Sequence, residues 1–78
     1  MNTNETCRAI LKKVSTITDI VPEVYYRDDC NSIMITWRGD IPDEITTLKI
    51  AEALIRFGTP IPNHFRDCNF VSFIIHLY

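Results

Sequence analysis

His64, Asp67 and Cys68 fall within one five-residue stretch. An imidazole, a carboxylate and a thiol are the groups from which a base, its orienting acid and a nucleophile are built. Folds assemble such groups from distant positions, so closeness along the chain carries little weight. The surrounding run, TPIPNHFRDC, reads as a proline-stiffened polar loop. Asp28, Asp29 and Cys30 supply metal-binding groups that His64 or His76 could complete, but no CxxC, HxxxH or HExxH spacing accompanies them. The carboxylate pairs each have a structural role at hand. Asp28 and Asp29 suit a hairpin turn, and Asp43 and Glu44 suit the positive end of a helix. Two glycines cannot build a phosphate-cradling loop. The expectation is a chain that is not an enzyme and takes no metal or cofactor.

A second constellation is basic and aromatic. Tyr25, Arg27, Trp37 and Arg38 lie close together in sequence, with His64 and Arg66 further on. Aromatic and arginine side chains are enriched where proteins meet partners, and they also stack nucleobases. Trp37 alternates with Ile33 and Ile35, which assigns it to the core. Tyr25, Arg27, Arg38 and Arg66 remain as a nucleic-acid-binding alternative. The net charge of −2, from eight Lys and Arg against ten Asp and Glu, argues against a general nucleic-acid binder.

The elements that must hold these residues fit one domain, residues 1–78. A chain this short has a thin core and often leans on a partner. It is 46% hydrophobic and 23% charged, too apolar for disorder. The cysteine count is odd: Cys7, Cys30 and Cys68. With a polar start and no apolar run of membrane-spanning length, this predicts free thiols in the cytoplasm and no membrane.

Cys7, Ile10, Leu11 and Val14 recur at helical spacing, with Asn2 and Glu5 placed to cap, so residues 5–16 form the first helix. EVYYRD and SIMITWR alternate about a polar turn and form an antiparallel hairpin. Pro42, Asp43 and Glu44 open a second helix that Gly58 closes. Its apolar residues reach far around the cylinder: Ile45, Leu48, Ala51 and Ile55 form one stripe, and Ile50, Ala53 and Phe57 another. It therefore touches more than the sheet. Residues 59–68 read as a loop, pinned by Ile61 and Phe65. NFVSFIIHLY closes the chain as the strongest strand. The predicted architecture is an α+β two-layer sandwich of order α-β-β-α-β. It has a three-stranded mixed sheet with two helices on one face, and it looks like a ferredoxin-like unit lacking its first strand.

Val71, Phe73, Ile75 and Leu77 are the helix-facing set of the last strand. The opposite set includes Tyr25, Arg27, Met34, Arg38, Phe70, Ile74 and Tyr78. Uncovered together, these make an apolar patch large enough to bind. The predicted function is a small protein-binding module, bacterial or phage in character, of the inhibitor, antitoxin or adaptor kind. Its partner is another protein or a second copy of itself, met through the open sheet face or the second helix.

Overall fold

The computed structural model describes residues 2–78. Helix α1 (Thr3–Ser15) starts where its polar leader predicts. Asn2 Oδ1 accepts the Glu5 amide at 2.8 Å, and Asn2 Nδ2 donates to Glu5 Oε1 at 3.3 Å. Strands β1 (Glu23–Arg27) and β2 (Ser32–Arg38) form the expected antiparallel hairpin, with Asn31 in the left-handed region at its turn. Helix α2 (Glu44–Leu54) is capped by Asp43, whose side chain accepts the Thr46 amide at 2.7 Å.

The class is α+β, but the sheet has four strands and every pairing is antiparallel. The expectation of a three-stranded mixed sheet is corrected here. Gly58, read as the stop of the second helix, and residues 59–62, read as the start of a loop, form β3 (Gly58–Pro62), and β4 (Phe70–Leu77) follows after a short 3-10 turn, Arg66–Cys68. The order across the sheet is β1-β2-β4-β3. The added strand β3 follows α2 and takes the edge of the sheet, and β4 takes the central place beside β2. Because β3 reverses the chain, β4 runs antiparallel to β2 rather than parallel. It is β2 and β3, separated by β4, that run in the same direction on either side of the α2 crossover.

Prolines hid this strand, and the ladder shows how they are tolerated. The Asn63 amide donates to Ser72 O at 2.9 Å, and Phe65 and Phe70 exchange both backbone bonds. In an antiparallel ladder the bonding residues alternate. Thr59, Ile61, Asn63 and Phe65 therefore face β4, while Pro60 and Pro62 aim their nitrogens outward, where no ladder bond is lost.

One core cluster joins both layers: Ile10 and Val14 of α1, Ile50 and Leu54 of α2, Ile33, Ile35 and Trp37 of β2, and Val71, Phe73 and Ile75 of β4. The sheet residues in it share one alternation, so the two helices lie on one face. Burial of each of these side chains stabilises the fold by about 1.5–3 kcal/mol. Trp37 is satisfied as well as buried: its indole N–H donates to Ile20 O at 2.8 Å, and its ring meets Phe73 edge-on.

Candidate partner-binding surface

The sheet face away from the helices is read directly from the register. Tyr25 lies opposite Met34, Met34 opposite Ile74, and Ile74 opposite Ile61. These four side chains form one apolar row that crosses every strand. Met34 and Ile74, on the central strands, are half-buried by their neighbours, while Tyr25 is 47% and Ile61 41% exposed. On one side runs a polar row of Arg27, Ser32, His76 and Thr59. On the other, Glu23, Thr36 and Ser72 follow, and Thr36 Oγ1 and Ser72 Oγ share a hydrogen bond of 3.2 Å. Beyond them Arg38 lies opposite Phe70 and sets its guanidinium 5.1 Å over the ring, with Phe65 against the other side of Phe70.

The face therefore brings together Tyr25, Arg27, Met34, Arg38, Phe70 and Ile74. Tyr78 stands apart. It lies past the end of β4, 82% exposed, beside Thr6, Arg56, Phe57 and Leu77. Ile61 and Phe65 were expected to pin a loop to the body. Instead they extend this face, with Phe65 54% exposed. The apolar–proline alternation of residues 59–62 was the available signal for Ile61, once proline is allowed on an edge.

Helix α2 carries a second exposed ridge. Thr47, Ile50 and Leu54 are its buried side, while Ile45, Leu48 and Ile55 are 69%, 65% and 51% exposed. The stripe expected through Ile45, Leu48 and Ile55 is thus the outward one.

The chemically suggestive residues take other positions. Ser32 Oγ lies 2.7 Å from His76 Nδ1, the separation of a nucleophile and its base. However, Ser32 is fully buried and its hydroxyl donates to Cys30 O at 3.0 Å. The Ser32–His76 contact joins β2 to β4 across the sheet. His64 sits edge-on to Phe73 and accepts the Ser72 amide through Nδ1 at 3.4 Å. Burial pushes its pKa down, and neighbouring Arg66 adds to this, which favours the neutral ring. Cys7, Cys30 and Cys68 are free thiols, and burial raises the pKa of Cys7, which disfavours the thiolate. Among the described residues no group of three or more His, Cys, Asp or Glu side chains converges as a metal site would.

Arg66 is not on the patch with Tyr25 and Arg27. Its guanidinium reaches the start of α2, donating to Pro42 O at 2.9 Å and to Thr47 Oγ1 at 2.8 Å. Arg27 pairs with Asp29 at 2.8 Å, an exposed contact that raises the arginine pKa and lowers the carboxylate pKa. Arg27 lies opposite Ser32 and Arg38 lies six residues further along β2, a separation of about 20 Å at strand rise. Among the described residues no continuous track of cations crosses the face.

No relative emerges from comparison. No family model, no curated protein and no solved structure matches this chain. Among the described residues no helix is long and apolar enough to cross a membrane. The functional reading rests on the surfaces themselves.

Proposed function

We propose that this chain is a non-enzymatic protein-binding module of the inhibitor, antitoxin or adaptor kind, and that its partner surface is the sheet face away from the helices. One observation carries the reading: the row Tyr25–Met34–Ile74–Ile61 runs unbroken across all four strands on that side. An aromatic, a methionine and two isoleucines, rimmed by Glu23, Arg27, Arg38 and His76, have the composition of an interface core with a charged surround. Single exposed apolar residues need no explanation, whereas a contiguous row does.

The exposed ridge Ile45, Leu48 and Ile55 on α2 supports a second contact surface on the opposite side of the molecule. Affinity capture from the source cells separates the two. With the tagged wild type, a stoichiometric protein is expected to co-purify. Ile74→Asp should lose it, while Leu48→Asp should retain it. Loss through Leu48→Asp alone moves the site to the helix. Retention by both variants, or nothing captured by the wild type, contradicts the reading.

A further inference from the structure

The two edges of the sheet are built differently. On β3 the outward positions are Gly58, Pro60, Pro62 and His64, so two successive donors are deleted and the edge is blunted. The β1 edge has no such protection. The register also tells which of its groups are free. Asn31 O accepts from Leu77 and Asn69 O accepts from Gly39, so the odd-numbered residues of β2 bond to β4. Even-numbered β2 residues therefore bond to β1, through Glu23, Tyr25 and Arg27. The N–H and C=O groups of Val24 and Tyr26 point outward. Among the described residues no other backbone or side-chain group bonds to them.

We propose that β1 pairs antiparallel with β1 of a second copy of this chain, about a two-fold axis at Tyr25. It goes beyond the binding-face reading and places self-association, expected from sequence through the open face or α2, at the sheet edge instead. The argument is charge complementarity. A two-fold axis at Tyr25 sets Glu23 opposite Arg27 of the other copy, and Arg27 opposite its Glu23. Two opposite-charge cross-strand pairs then flank a tyrosine pair, all on the outer face. The same register places Val24 opposite Tyr26 twice. These residues carry the free backbone groups, so four ladder bonds form without moving a strand. Tyr25, 47% exposed, sits at the axis and loses water on pairing. The product is an eight-stranded sheet. The apolar row of one copy continues into that of the other, doubling the surface offered to a partner, and both outer edges are proline-blunted β3.

The test is sedimentation equilibrium of the full chain, wild type and variants, with circular dichroism to confirm folding. The wild type is expected to dimerise. Glu23→Arg and Arg27→Glu should each weaken the dimer about tenfold or more, since each turns two attractive pairs into repulsive ones. The double variant Glu23→Arg/Arg27→Glu should recover most of the loss. Val24→Pro removes an outward donor that β2 does not use, and it should give a folded monomer. A wild type that stays monomeric at its highest soluble concentration overturns the proposal, as does a dimer indifferent to Glu23→Arg and Val24→Pro. Ile74→Asp separates the two readings. It should abolish partner capture yet leave the edge dimer intact. A dimer broken by Ile74→Asp and not by the edge variants would leave the face reading standing and remove this one.

Discussion

Arg66 and Thr47 join the two halves of the chain. The guanidinium that follows β3 donates to a buried threonine hydroxyl on α2, 19 residues earlier in sequence, at 2.8 Å, and the same group donates to Pro42 O. Thr47 passes the connection on, donating to Asp43 O at 2.7 Å. The first turn of α2 is thereby tied to the segment that turns β3 into β4. An arginine that sequence alone offers to a nucleic acid is committed to the fold.

Arg66→Ala should therefore destabilise the protein by about 2 kcal/mol, the range for hydrogen bonds to a charged donor. Arg66→Lys should recover less than half, because an ammonium cannot span both acceptors. Urea unfolding monitored by Trp37 fluorescence measures both. A loss within error of zero would show that the contacts are solvent-like and exchangeable.

Gly58 is required by close approach. A β-carbon there would collide with the backbone carbonyl of His76 on the neighbouring strand, its carbon only 2.8 Å away. Backbone held in a ladder cannot yield as a flexible side chain can. Gly58→Ala should cost about 1–3 kcal/mol, seen as a lower urea midpoint, although alanine lowers the entropy of the unfolded chain. A neutral or stabilising result would show that the β3–β4 register differs at this end.

The elements most legible in sequence are those with local rules. The Asn2–Glu5 cap, the alternation of β2 and the burial of Trp37 follow from residue type and spacing alone. Alternation also places Met34 and Ile74 on the face away from the helices. The strand β3 was not legible, because Pro60 and Pro62 break an interior strand and only their outward placement makes them harmless. That one omission changed the sheet from three strands to four and reversed the direction of β4. It also hid Ile61, the fourth member of the apolar row. The Ser32–His76 contact depends on pairing positions 44 residues apart and has no local signature.

His64 makes the stability depend on pH. Its pKa is pushed below the ordinary histidine value, first by burial and then by Arg66. The folded protein therefore favours the neutral ring. Where the unfolded chain binds a proton and the folded one does not, stability rises with pH. The contribution is fully present above about pH 6.5, the unfolded value, and is lost as pH falls from there through the lowered folded value. Urea midpoints measured between neutral and mildly acidic pH should fall for the wild type and fall less for His64→Gln. An equal decline in both would place the titrating group elsewhere.

The account turns on two neighbouring isoleucines of β4 with opposite fates. Ile75 is fully buried beneath the helices, and Ile74 lies half-buried on the open face between Met34 and Ile61. Equilibrium unfolding of Ile74→Asp beside Ile75→Asp tests this most directly. Ile74→Asp should remain folded, at a cost of about 1–2 kcal/mol from lost cross-strand packing. Ile75→Asp should not fold, because it puts an unpaired carboxylate in the core. If Ile74→Asp also fails to fold, that face belongs to a core and is no surface for a partner.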